Sequence, residues 1–319
     1  MASEFDLIAK YFTRPAAPGQ LGVGDDCALF SVPPGHQVAV STDLLVEGRH
    51  FFPNVDPRAL GHKTLAVNLS DLAAMGAQPV GCLLGLALPR AEQAWLAAFA
   101  RGFHDLADEA NCPLIGGDTT RSPALLTLSV TVFGAIKPGK ALRRDAACVD
   151  DEIWVSGELG AADVAYRMLD GQLPADPQLL SAVRRALEWP MPRLALGRAL
   201  AGLAHAAIDI SDGLLQDLGH ILDRSQVGAE LRDSALPVAA GLEGLDQATR
   251  RRAVLGGGDA YELCFTAAPA DHAQVLQAAA RAGVHVSCVG SITDRPGLIV
   301  LDDTGRPLPD LPKGFDHFA

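Results

Sequence analysis

Val67-Asn68-Leu69-Ser70-Asp71-Leu72-Ala73-Ala74-Met75-Gly76 is the run on which the reading of this chain turns. Together with the residues from Arg58 onward it predicts a helix with defined ends. Asp56 can accept from free backbone N–H groups, Pro57 suits the first helical position, and Gly76 followed by Pro79 stops the helix. Leu65, Leu69 and Leu72 fall on one apolar face, and Thr64, Asn68 and Asp71 repeat the spacing on a polar one. Ala66, Val67, Ala73, Ala74 and Met75 fill much of the remainder, so little of the helix is made for water. A carboxylate on such a helix is costly unless it is paired, hydrogen-bonded or bound to a metal. Asp71 is therefore either part of a local salt bridge or capping network, or a point on which other acids converge.

The remaining acids favour convergence. Apolar strands run into small-residue loops carrying Asp at Gly24-Asp25-Asp26, Ser41-Thr42-Asp43, Gly116-Gly117-Asp118 and Asp209-Ile210-Ser211-Asp212. Strand ends line the ligand crevice in α/β proteins. Carboxylates gathered there repel unless something compensates them. Divalent cations are the natural compensation, and the donors are hard oxygens, including the Ser41 and Thr42 hydroxyls. No His/Cys cluster of the zinc or iron kind is evident in the sequence, so Mg2+ fits best. Several Mg2+ ions beside glycine-rich loops imply a polyphosphate ligand, with ATP the first candidate. Gly134-Ala135-Ile136-Lys137-Pro138-Gly139-Lys140-Ala141 comes within one residue of a phosphate-binding loop, but Ala141 lacks the required hydroxyl.

The 319 residues suffice for two domains. A hydrophobic share of 49% with 20% charged residues is that of a soluble globular protein. The net charge of −12 argues against broad contact with nucleic acid or an anionic membrane. Met1-Ala2-Ser3-Glu4-Phe5-Asp6 is unlike a signal peptide, and six scattered cysteines without a C-x-x-C pair suit a reduced, cytoplasmic protein. Strands are expected at Ala28–Val32 and Gln37–Val40, joined by a turn at Pro33-Pro34-Gly35. Leu114-Ile115 is expected to be a short strand ending at Gly116. A shift to Pro, Gly and charge around Lys137–Asp151 divides an N-terminal domain (1–137) from a C-terminal one (152–319) through a linker (138–151).

In order and spacing the chain resembles the thiamine-monophosphate kinase family, within the aminoimidazole ribonucleotide synthetase-like ATP-binding superfamily. The motifs are Gly-Val-Gly-Asp-Asp-Cys-Ala-Leu at 22–29, Ser-Thr-Asp at 41–43 and Val-Asn-Leu-Ser-Asp-Leu-Ala-Ala-Met-Gly-Ala at 67–77. Others are Leu-Ile-Gly-Gly-Asp-Thr-Thr-Arg at 114–121, Ile-Asp-Ile-Ser-Asp-Gly-Leu at 208–214, Tyr-Glu-Leu-Cys-Phe at 261–265 and Lys-Gly-Phe-Asp-His-Phe at 313–318. The resemblance implies a two-domain α/β (α+β) fold, with an N-terminal mixed sheet that pairs into a barrel in a homodimer and a C-terminal α/β domain. It implies transfer of the γ-phosphoryl of ATP to thiamine monophosphate, the last step of thiamine diphosphate synthesis, in line and without a phosphoenzyme. Asp26, Ser41, Thr42, Asp43, Asp71, Asp118, Asp209 and Asp212 would then hold several Mg2+ ions. Gly117, Asp118, Arg144 and Ser211 would contact ATP, and His50, Asp259 and Phe315 the thiamine substrate. K+ is an open further cofactor. The family's usual Gly-Gly-Glu-Asp is here Gly257-Gly258-Asp259-Ala260, with one acid shortened and one lost. The alternatives are another ATP-dependent enzyme of the superfamily, or a non-catalytic Mg-nucleotide sensor.

Overall fold

The computed structural model describes residues 4–16 and 19–315. Asp316, His317 and Phe318 of the closing motif lie outside them, as do Met1, Ala2 and Ser3. The chain divides into two compact units, residues 1–72 with 77–139, and 73–76 with 140–319.

The first unit runs α1 (Glu4–Tyr11), β1 (Gln37–Val46), α2 (Pro57–Ala74), β2 (Gln78–Leu88), α3 (Gln93–Ala110), β3 (Leu114–Arg121) and β4 (Thr127–Ile136). Its sheet has the order β1-β4-β2-β3, with β2 and β3 parallel and the other pairs antiparallel. The predicted helix is α2. The Asp56 carboxylate accepts from the Arg58 N–H at 3.0 Å, and Leu65, Leu69 and Leu72 are buried. Strand alternation separates two faces. On one, Leu45, Leu128, Val130, Val132, Leu84 and Leu86 are buried. On the other, Val38, Val40 and Leu44 are 48%, 59% and 62% exposed, an apolar surface with the composition of an interface.

Three expectations are corrected here. Ala28–Val32 forms no strand, contributing a single bridge between Leu21 and Leu29, because the prolines at 33 and 34 supply no N–H to continue a ladder. Ser41-Thr42-Asp43 is not a loop but the middle of β1, which pairs with β4 from Gln37↔Ile136 to Val46↔Thr127. Gly116-Gly117-Asp118 likewise lies inside β3, held in register by β2.

The second unit runs β5 (Glu152–Ser156), α4 (Ala161–Leu169), α5 (Pro177–Glu188), α6 (Leu194–Leu200), β6 (Ala206–Asp209), α7 (Leu214–Ser225), β7 (Gly228–Arg232), α8 (Gln247–Gly256), β8 (Leu263–Ala267), α9 (His272–Ala282), β9 (Val286–Thr293) and β10 (Gly297–Leu301). The sheet order is β10-β7-β9-β5-β8-β6. Alternate residues of β5 feed different cores. Ile153 and Val155 join Leu214, Leu218 and Val254, whereas Trp154 joins Phe265, Leu196 and Val275. Helices thus cover both faces, as a largely apolar strand requires. The sequence reading places nothing at β7 or α8.

In the first unit α2 and α3 meet backbone to backbone. A Cβ built at Gly61 would lie 2.0 Å from the Phe99 carbonyl oxygen, and one at Gly102 would lie 1.8 Å from that of Arg58. In an open helix Gly→Ala gains about 1 kcal/mol. Here Gly61→Ala is expected to lose about 1–3 kcal/mol through overpacking. Denaturant unfolding of the variant checks the sign.

Candidate active site

In the first unit Ser41 and Asp43 stand on the β1 face that α2 covers. The Ser41 hydroxyl donates to Asp71 Oδ2 at 2.5 Å. The Asp43 backbone N–H donates to Asn68 Oδ1 at 3.0 Å, and Asn68 Nδ2 donates back to the Thr64 carbonyl at 3.2 Å. Thr64 Oγ1 in turn donates to the Leu60 carbonyl at 2.6 Å. The polar row of the helix is thereby satisfied within α2 or against β1, which is what its burial demands. Burial raises the Asp43 pKa to about 6, with the charge of Asp71 adding to the rise. Both influences act against the ionised form, and a divalent cation would reverse them. Two carboxylates and a hydroxyl are the hard-oxygen donors that suit Mg2+.

The other predicted positions of this unit lie apart from that pair. Thr42 is on the opposite face of β1, where its hydroxyl donates to the Val130 carbonyl at 3.0 Å and contacts Thr131 Oγ1 at 3.0 Å. Asp118 is on β3 at the far edge from β1, paired with Gly85. Three strand spacings put the two backbones about 14 Å apart. Carboxylates sharing one Mg2+ need oxygens within about 4 Å, so Asp43 and Asp118 cannot bind a common ion within this unit. Gly117 is set by packing, since a Cβ there would lie 1.9 Å from the Leu84 carbonyl oxygen. Asp26 is exposed, its backbone N–H donating to Asp25 Oδ1 at 2.9 Å. His50 Nδ1 accepts from the Val46 N–H at 3.0 Å, so the neutral ring carries its proton on Nε2.

In the second unit the loop leaving β6 is organised by Asp217, a residue the sequence reading passes over. Its Oδ2 accepts from the backbone N–H groups of Ser211, Asp212 and Gly213 at 3.0, 3.0 and 3.1 Å. Burial pushes its pKa up to about 7, and the backbone donors pull the other way. Its position in the first turn of α7 is the signal that could have revealed it. Two further segments dock on this loop. The Asp259 N–H donates to the Ser211 carbonyl at 2.8 Å and the Phe315 N–H to the Asp212 carbonyl at 2.9 Å. Gln216 Nε2 holds the Phe315 carbonyl at 2.9 Å. Ser211, Asp212, Asp259 and Phe315 are thus brought together, and Asp209 is buried at the end of β6.

The docking loop is held in an uncommon conformation. Asp259 and Tyr261 have φ of 60° and 50°, left-handed for two non-glycine residues, and the Tyr261 hydroxyl donates to Asp259 Oδ1 at 3.2 Å. Such backbones persist where surrounding contacts over-determine them. Asp163, also unflagged in the sequence, lies against this loop, since a Cβ at Gly257 would come within 2.5 Å of its own Cβ. Burial raises the Asp163 pKa, Arg167 and Arg252 oppose the rise, and Asp259 adds to it. Arg144 is exposed, its carbonyl accepting from the Ser225 hydroxyl at 2.8 Å, while the neighbouring Arg143 pairs with Asp145.

A folded-state pKa of about 6 for Asp43 lies above the unfolded value, so the folded state binds the proton more tightly. Metal-free protein should therefore lose stability as pH rises from about 4 through about 6. Asp43→Asn should remove the Asp43 part of that loss, leaving that of Asp217, and, without metal, raise the Tm at neutral pH by a few degrees, at about 2–4 °C per kcal/mol. Thermal melts in a chelator across this pH range check it.

The comparisons with known proteins agree with these motifs. The family described as AIR synthase related protein, N-terminal domain, matches residues 24–136, and its C-terminal domain counterpart matches residues 149–303. Thiamine-monophosphate kinase of Escherichia coli (strain K12) is 42% identical over 322 residues, spanning 99% of this chain and 98% of that protein. The crystal structure of thiamine-monophosphate kinase from Stenotrophomonas maltophilia K279a has a TM-score of 0.83 at 44% identity, covering 90% of this chain and 92% of that one. AaThiL complexed with AMPPCP and TMP has a TM-score of 0.77 at 27% identity, covering 90% of this chain and 89% of that one. With identity of this order running nearly end to end through both AIR synthase related domains, the chain belongs to the thiamine-monophosphate kinase family.

Proposed function

We propose that this kinase passes the γ-phosphoryl of ATP directly, in line, to the phosphate of thiamine monophosphate, giving thiamine diphosphate and ADP. The observation that carries this reading is the pair Asp43 and Asp71, the second held by Ser41, in a setting where burial and the Asp71 charge disfavour the ionised form of Asp43. The relative that holds AMPPCP and TMP supports the choice of the two substrates. Asp26, Ser41, Thr42, Asp43, Asp71 and Asp118 of the first unit are the proposed Mg2+ donors there, and Asp209 and Asp212 those of the second. Bound Mg2+ neutralises charge on the polyphosphate and fixes its geometry. Ser41 orients the Asp71 carboxylate toward that task, and Asn68 fixes the backbone of Asp43. Gly117, Asp118, Arg144 and Ser211 are the proposed ATP contacts, and His50, Asp259 and Phe315 those of the thiamine substrate. The wide separation of Asp43 from Asp118 suits more than one ion, or an ion and a phosphate chain, in the first unit.

A phosphate monoester has its second pKa near about 6 and is largely ionised at neutral pH. The acceptor needs no general base, and none is assigned. The exposed apolar row Val38, Val40 and Leu44 supports a homodimer formed through the first unit, which would cover it. No described helix is long and apolar enough to cross a membrane. All six cysteines are free, which suits a reducing cytoplasm.

Incubation with ATP, Mg2+ and thiamine monophosphate should yield thiamine diphosphate and ADP in equal amounts. Phosphate release without that product would overturn the reading. Asp71→Asn should lower kcat by at least about a hundredfold, as for loss of a transition-state electrostatic group, with the fold retained by circular dichroism. His50→Ala should raise the KM for thiamine monophosphate more than that for ATP, as steady-state kinetics with each substrate varied will show.

A further inference from the structure

Away from the proposed Mg2+ donors, Cys148, Asp151 and His205 bring one sulfur, one carboxylate and one imidazole nitrogen within 4.8 Å of one another. We propose that these three side chains form a transition-metal site of the zinc type, with the fourth position open to water. His205 immediately precedes β6, whereas Asp209 ends it, so the two lie about 13 Å apart along the strand.

The donors are held in place before any ion arrives. His205 Nδ1 lies 2.9 Å from both oxygens of Asp151, on the bisector of the carboxylate. Asp151 is 2% exposed, so its orientation is fixed by its surroundings. Cys148 and Asp151 close a tight turn. The Cys148 N–H donates to Asp151 Oδ2 at 2.9 Å, and the Asp151 N–H donates to the Cys148 carbonyl at 3.1 Å. Asp150, inside the turn, has φ of 72°, and its N–H donates to the Ile292 carbonyl at 3.0 Å, which ties the turn to β9. The His205 backbone N–H donates to the Thr266 carbonyl at 2.8 Å, tying the main chain of His205 to β8. Cys148 is exposed and so reachable from solvent.

The geometry and the donor types choose the ion. Nitrogen and oxygen ligands at about 2.0–2.1 Å from a tetrahedral ion stand about 3.3 Å apart, so the His205–Asp151 pair must open by only about 0.4 Å. A thiolate and an imidazole select a borderline-soft ion over Mg2+ or Ca2+. On binding, the Cys148 thiol proton leaves to solvent, and the Nδ1 proton that His205 donates to Asp151 is lost to solvent while Nε2 holds the ring's remaining proton, so that Nδ1 presents its lone pair to the ion. The ion then joins the segment entering β5 to the residue entering β6.

Co2+ titrated into the whole chain, in excess Mg2+ and a metal-free reductant, tests the site. The expected result is a near-ultraviolet thiolate-to-cobalt charge-transfer band with intense tetrahedral visible absorption, saturating at one ion per chain and bleached by Zn2+. Cys148→Ser should abolish the charge-transfer band, and His205→Ala should weaken binding at least about tenfold. Both variants should retain the circular dichroism of the parent and its turnover with Mg2+ and ATP. Absence of the band from the parent protein, or its persistence undiminished in Cys148→Ser, would overturn the proposal. Co2+ bound by carboxylates alone gives no such band, so failure here leaves the kinase reading untouched, and the reverse also holds.

Discussion

The repulsion between Asp43 and Asp71 is the constraint around which the first unit is arranged. Strand β1 and helix α2 bring the two carboxylates to one side of the sheet, and burial makes their joint ionisation costly. The side chains nearest them are spent on geometry. Ser41 fixes Asp71, Asn68 fixes the Asp43 backbone, and Thr64 closes the row by bonding within its own helix. Burial and the Asp71 charge thus leave Asp43 with a raised pKa, a shift that a cation bound there would reverse.

The second unit shows both patterns. Glu262 is compensated, since it accepts from Arg193 and, at 2.5 Å, from the Ser156 hydroxyl. Its role in the Tyr-Glu-Leu motif is thus to join β5, β8 and the start of α6. Asp217 keeps a raised pKa of about 7 because its three backbone donors oppose burial without cancelling it, and it holds the loop of Ser211 and Asp212 in one shape. Against that fixed loop the 257–259 segment and Phe315 are placed by main-chain hydrogen bonds, which do not depend on rotamers. Preorganisation of this kind lowers the ordering cost of binding.

Local chemistry was readable from the sequence where it was local. The ends of α2 follow from Asp56, Pro57 and Gly76, and its buried polar row from the spacing of Thr64, Asn68 and Asp71. What failed was the assignment of Ser41-Thr42-Asp43 and Gly116-Gly117-Asp118 to loops. Small and acidic residues resemble a turn until the partner strand is known, and the partner of β1 is β4, far along the chain. The same long-range pairing decides that Ser41 and Asp43 face α2 while Thr42 does not. Asp217 was missed because a carboxylate in the first turn of a helix looks like an ordinary dipole partner. The family came through ordered motifs rather than periodicity. The side-chain partners of His50, Arg144 and Asp259 needed coordinates.

The crossing of α2 and α3 at Gly61 and Gly102 has a mechanical meaning for the acid that α2 carries. Packed helices usually slide a little because the side chains between them change rotamer and take up the movement. At this crossing main chain rests on main chain, and there is no such cushion. Any displacement of α2 relative to α3 is therefore rigid-body, and it carries the Asp71 carboxylate with it undamped. The helix acts as a stiff lever pivoted where Gly61 meets α3, with the Asp71 carboxylate toward its far end.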